Sequence, residues 1–140
     1  MVVTLRRQRG PFGLVVTGEA NWWVPALEEI VGPRWLRTFR VSGDEELLEM
    51  VESGLADAAV LDEEGNWDLE VLQLLRMIRR LSAAFPVVVL SRRTDRIWLE
   101  DALGLAAFSV VAKPLQLEEL LRQIQRMMIR LDQTFRAGPL

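Results

Sequence analysis

With 140 residues, half of them hydrophobic and about a quarter charged, the chain is sized for one domain with a full core. It has neither cysteine nor histidine, which excludes disulfides, thiol nucleophiles, Ser-His or Cys-His catalysis and zinc sites of the usual kind. A net charge of -3 gives no general pull toward nucleic acid, no apolar run has the length of a membrane span, and Met1 to Arg9 is too short and polar for a secretory signal, so a cytoplasmic protein is expected.

Residues 1–12 read as a loose arm, with Arg6, Arg7 and Arg9 ahead of the structure-breaking pair Gly10-Pro11. Gly13 to Thr17 reads as a first strand. A helix is expected from about Asn21 to Val31, with Pro25 near its first turn and Trp22, Trp23, Val24, Leu27 and Ile30 on its apolar side. Trp35 to Val41 alternates apolar and polar residues, the pattern of an edge strand with one wet face. Ser42-Gly43-Asp44-Glu45 has the capping-box form and opens a helix that carries Leu47, Leu48, Met50 and Val51 and stops near Gly54.

Asp57 to Asp62 reads as a buried central strand, its four apolar residues Ala58 to Leu61 running into a carboxylate. Asp68 is expected to cap a helix through Leu81, with Val71, Leu72, Leu74, Leu75 and Ile78 on one side and arginines on the other. Pro86 to Ser91 is a second buried strand. Thr94 or Asp95 should cap a helix to about Leu105, and Phe108 to Ala112 is a fifth strand, followed by Lys113-Pro114. A last helix is expected from about Gln116 to Phe135, which puts the domain at 13–131 and a tail at 132–140. Five strands alternating with five helices imply a parallel sheet covered on both faces, an α/β doubly wound fold of flavodoxin-like strand order 2-1-3-4-5.

Three polar groups fall at the carboxyl ends of successive central strands: Asp62, Ser91 and Lys113. In a parallel sheet those ends share one edge, where open α/β folds place their sites. A carboxylate there can accept a phosphoryl group, and a hydroxyl and an ammonium can hold its oxygens. Lys113 is the only lysine among 17 basic residues, which points to a position that needs a compact ammonium. The bland alternative is a partly buried Asp62–Lys113 ion pair with Ser91 merely ending its strand.

From about Gly13 to Ile129 the chain resembles the receiver (CheY-like) domain of two-component response regulators. The resemblance rests on Ala58, Val60, Leu61 and Asp62, on Val87-Val88-Val89-Leu90-Ser91, and on Val111-Ala112-Lys113-Pro114 followed by Leu117-Glu118-Glu119-Leu120-Leu121. It implies Asp62 as the phosphoacceptor for a histidine kinase, Ser91 and Lys113 as phosphate contacts, and a cis peptide before Pro114. It also implies a homodimer through the fourth helix, fifth strand and fifth helix.

The departures are specific. Receivers end the first strand in an acidic pair that holds magnesium with the acceptor aspartate; here that place reads Thr17-Gly18-Glu19. Glu63 and Glu64 are the partial substitutes for that pair, a metal would use Glu19, Asp62 and Glu64, and Mg2+ binding should be weak. Alternatively, Glu64 reaches Lys113 and fills the pocket itself. Arg92 follows Ser91 where a small residue is usual, and covers the site. The aromatic switch position falls at Val110, the usual glycine before the fifth strand is Ala106, and the loop after Asp62 lacks the usual proline.

This pattern resembles an atypical receiver, or pseudo-receiver. The expectation is a stand-alone, non-enzymatic signalling module acting by contact with an unidentified downstream protein, with no nucleic-acid or membrane partner. A small flavodoxin-like enzyme or ligand-binding domain using the same edge is the alternative, but no glycine-rich phosphate loop follows the first strand. Of the five tryptophans, Trp98 is the expected contact residue, and Arg122, Arg126 and Arg130 form a basic side on the last helix.

Overall fold

The computed structural model describes residues 11–17, 22–105 and 107–137, with side chains through Leu131. In chain order it runs β1 (Phe12–Thr17), α1 (Val24–Val31), β2 (Leu36–Val41), α2 (Asp44–Ser53), β3 (Ala58–Asp62), α3 (Val71–Leu81), β4 (Val87–Ser91), α4 (Arg96–Leu105), β5 (Ala107–Ala112) and α5 (Leu117–Ala137). All four strand pairings are parallel, and the order across the sheet is β2-β1-β3-β4-β5. This is the flavodoxin-like arrangement that the alternation of elements predicts. None of the helices among the described residues is long and apolar enough to cross a membrane.

The sheet separates two cores because successive strand residues point to opposite faces. Val15, Ala59, Leu61, Val87 and Val89 pack beneath α2, α3 and α4, together with Leu47, Leu74, Leu75 and Ile78. Leu14, Val16, Val60, Val88 and Leu90 pack beneath α1 and α5, with Leu27, Leu120, Ile124 and Met127. Strands β3 and β4 are buried at every residue, which is why they read as unbroken apolar runs. The edge strand β2 buries only Leu36 and Val41, its two ends.

Several helix ends differ from the reading of the sequence. The first helix starts at Val24 rather than Asn21. Trp23, Val24 and Leu27 are buried, whereas Trp22 and Ile30 stand in solvent. The expected capping box at α2 does not form: its N-cap is Gly43, and the Ser42 hydroxyl donates instead to Glu46 Oε1 at 2.6 Å. At α3 the cap is Glu70, which forms a reciprocal box with Gln73. Asp68 is therefore not the cap; its own N–H, like that of Leu69, donates to the carboxylate of Asp44. Gly54 ends α2 in the left-handed region at φ 75°, where a side chain would be strained. Of the arm expected at 1–12, residues 1–10 lie outside the described residues, as do Gly18, Glu19 and Ala106, while Phe12 already belongs to β1.

Trp98 corrects another expectation. It is 7 % exposed and belongs to the core under α4, while its neighbour Ile97 is 76 % exposed. One step along a helix turns a side chain by about 100°, so a small difference in phase exchanges the two roles. Arg122, Arg126 and Arg130 of α5 are engaged within the chain: Arg126 and Arg130 lie over the Phe108 ring and Arg122 pairs with Glu119.

Candidate functional site at the carboxyl edge of the sheet

The parallel register carries Asp62, Ser91 and Lys113 to one place. Asp62 is opposite Leu90, Ser91 is opposite Ala112, and the Lys113 N–H donates to Ser91 O at 3.0 Å. Asp62 and Ser91 are buried, with Asp62 8 % exposed. Lys113 Nζ is 2.7 Å from Asp62 Oδ1, with both side chains 12 % exposed. The peptide between Lys113 and Pro114 is cis, as the family resemblance implies.

The loop after β3 is held from several sides. Asp62 O accepts the Gly65 N–H at 2.9 Å and the indole N–H of Trp67 at 2.8 Å. Asp62 Oδ1 also accepts the Glu64 N–H at 2.9 Å, an Asx-type turn that aligns the carboxylate. Gly65 is required by close approach, since a Cβ there would lie 2.8 Å from Trp67 Nε1 and 3.0 Å from Asp62 O. The Asp44 carboxylate secures the far end of the loop through the amides of residues 68 and 69.

This loop directs two carboxylates back over the site. The Ser91 hydroxyl donates to Glu63 Oε1 at 2.5 Å, and Arg93 Nε donates to Glu63 Oε2 at 2.5 Å. Glu64 Oε2 is 3.4 Å from Lys113 Nζ, and Glu64 Oε1 accepts from Arg92 Nε at 2.6 Å. Arg93 also donates its backbone N–H to Ser91 Oγ at 3.0 Å and lays its guanidinium over the Trp98 ring at 5.2 Å. Desolvation pushes the Glu64 carboxyl up, but Arg92 and Lys113 together outweigh it and hold its pKa below the usual carboxylate range. The hydrogen bond to Glu63 makes the Arg93 guanidinium a still weaker acid than usual.

Asp62, Ser91, Lys113, Glu64 and Arg92 are residues that strand ends and spacing single out. Glu63 as a partner of Ser91, and Arg93, Trp67 and Asp44 as its supports, were not legible from spacing. A Glu-Glu pair after one strand and an Arg-Arg pair after the next was the available signal. Val110 is half-buried on β5 and packs against the core beneath α3 and α4, so no aromatic ring occupies that position. Thr17 is buried at the end of β1.

No family model matches this sequence, and no curated protein is similar to it in sequence. Its fold is that of response-regulator receiver domains. A CheY-like receiver domain protein from Methanospirillum hungatei superposes with a TM-score of 0.73 at 14% identity, covering 89% of this chain and 98% of that one. The receiver domain of a Francisella response regulator gives 0.73 at 21% identity, covering 86% and 98%. The receiver domain of a sensor histidine kinase from Pseudomonas aeruginosa, which holds a magnesium ion in its active-site cleft, gives 0.67 at 22% identity, covering 85% and 98%.

The described residues of this chain do not fit such an ion. Magnesium is held mainly by carboxylate and water oxygens in octahedral array. Here the end of β1 offers the hydroxyl of Thr17, Asp62 Oδ1 carries an ammonium, and the carboxylates of Glu63 and Glu64 are taken by Ser91, Lys113 and two guanidiniums. Among the described residues no group of three or more acidic side chains is placed to share a metal.

Proposed function

We propose that the chain is a receiver-type signalling module of the response-regulator kind, working through protein–protein contact, with Asp62 at the phosphoacceptor position and Ser91 and Lys113 as the phosphate contacts. The observation that carries this reading is their convergence: a buried carboxylate, a hydroxyl and the sole lysine meet at the carboxyl ends of three adjacent parallel strands. The receiver fold and the flanking cis peptide are in keeping with it.

Phosphorylation would form a bond between an Asp62 carboxylate oxygen and phosphorus while the donor's bond to phosphorus breaks and its leaving group departs with the electron pair. Asp62 Oδ1 is committed to Lys113 and to the Glu64 amide, so Oδ2 is the attacking oxygen. Lys113 and Ser91 would then face the oxygens of the transferred group. A histidine kinase is the natural donor under this reading.

The departures support the pseudo-receiver version. The donors that a phosphoryl group needs are already engaged, and the described residues lack a metal cage. A downstream protein and a homodimer through α4, β5 and α5 belong to the same proposal, as does a cytoplasmic location; Ile97 and Leu103 are the exposed apolar groups of α4. The test is intact mass after incubation with a small-molecule phosphodonor, with and without magnesium. A phosphoryl adduct, slow to form and lost in D62N, is expected. An adduct that survives D62N refutes the acceptor assignment.

A further inference from the structure

Glu63 and Glu64 use all four of their carboxylate oxygens, and they use them in the same way. Each binds one inner donor of the acceptor pocket and one outer guanidinium. Glu63 joins the Ser91 hydroxyl to Arg93, and Glu64 joins the Lys113 ammonium to Arg92. Ser91 and Lys113 are the two groups that the reading above assigns to phosphoryl oxygens. Carboxylate and phosphoryl oxygens make the same demand on a hydroxyl or an ammonium, since both are anionic acceptors of charge-assisted hydrogen bonds.

We propose that Glu63 and Glu64 are standing internal ligands of the acceptor pocket, pinned by Arg92 and Arg93, so that the chain holds an anion-occupied arrangement without a phosphoryl group. The proposal rests on the assignment of Ser91 and Lys113 as phosphate contacts. The support behind the two carboxylates argues for a built arrangement rather than a chance surface contact. Asp62 O fixes Gly65 and Trp67, Asp44 fixes residues 68 and 69, and Trp98 supports the guanidinium of Arg93. Two long flexible side chains meeting at an open surface contribute little by themselves, because holding them costs rotamer entropy. Here the loop amide of Glu64 is already bound to Asp62, so part of that cost is met before the carboxylate reaches Lys113. An external anion has to compete with the two carboxylates for Ser91 and Lys113, and Arg92 and Arg93 set how readily they leave.

Lys113 being the sole lysine makes the occupancy measurable. An amine-acylating reagent has two targets, Lys113 and the chain's amino terminus, and the second serves as the internal reference. Acylation of Lys113 is followed by peptide mass in wild type, in E63A/E64A and in R92Q/R93Q, each confirmed as folded by its thermal transition. Lys113 should react about tenfold or more faster in E63A/E64A, with R92Q/R93Q between it and wild type. Inorganic phosphate should slow the reaction in E63A/E64A and leave wild type unchanged. A folded E63A/E64A that reacts at the wild-type rate overturns the proposal, as does equal protection by phosphate in both proteins. The phosphodonor assay on the same variants separates the two readings. Fast acylation of Lys113 in E63A/E64A with no Asp62-dependent adduct upholds the internal ligands and refutes the acceptor assignment.

Discussion

Replacing Lys113 with methionine tests how the site is balanced. The substitution keeps most of the side-chain volume and deletes the charge. It leaves Asp62, 8 % exposed, beside the Glu64 carboxylate with no cation at 2.7 Å. Removing one partner of a buried pair costs about 3–5 kcal/mol, because the other charge stays desolvated and unpaired. Some water reaches both groups here, so the lower end, about 3 kcal/mol, is the expected loss. For a chain of this size that is a fall in Tm of roughly 10 °C. Asp62→Asn should cost only about 1 kcal/mol, since Lys113 keeps Glu64 at 3.4 Å. The double variant D62N/K113M should be more stable than K113M alone, because it removes the orphaned charge together with its former partner. Urea unfolding followed by tryptophan fluorescence gives all four corners of the cycle, with unchanged m-values confirming that only stability moved. A K113M protein no less stable than D62N, or a double variant equal to the sum of the singles, would refute the view that charge burial dominates this pair.

Other expectations follow from single contacts. Glu64 has its pKa depressed in the folded protein, so its share of stability is present above the unfolded carboxylate pKa and is lost as pH falls through the lower folded value. The gap in Tm between wild type and E64Q should therefore be open at neutral pH and close on acidification, and a constant gap would contradict the ion-pair role. Gly65→Ala should cost about 1–3 kcal/mol by driving the Trp67 indole from Asp62 O, with a red shift of fluorescence as the ring is freed. Gly13→Ala places a Cβ 2.7 Å from Leu55 O and 3.0 Å from Phe39, contacts that backbone cannot easily yield, and should lower stability by about 1–3 kcal/mol on thermal melting. Trp98→Ala should behave as a core substitution and lose about 3–5 kcal/mol, whereas Ile97→Ala should stay within about 0.5 kcal/mol.

Much of this molecule is local information, and local information is legible in a sequence. A strand buried on both faces must be apolar throughout, so β3 and β4 announce themselves, and an edge strand must alternate, as β2 nearly does. Once the elements alternate and crossovers are right-handed, the sheet order is strongly constrained, and with it the meeting of Asp62, Ser91 and Lys113 at one edge. The side-chain geometry beyond that depended on the folded chain. Glu64 meets Arg92 across 28 residues and Glu63 meets Arg93 across 30, because parallel strands bring successive loops side by side. Which of Ile97 and Trp98 is buried follows from the phase at which α4 settles on the sheet. Whether Ser42 or Glu70 caps a helix depends on which residue the turn leaves within reach of an amide. The sequence alone thus placed an acid, a hydroxyl and an ammonium at one edge. The sequence also offered Glu64 as a group that could fill that edge, but only the tertiary structure set Glu63 on Ser91 and pinned both carboxylates with Arg92 and Arg93, because those partners belong to a loop that sequence distance keeps apart.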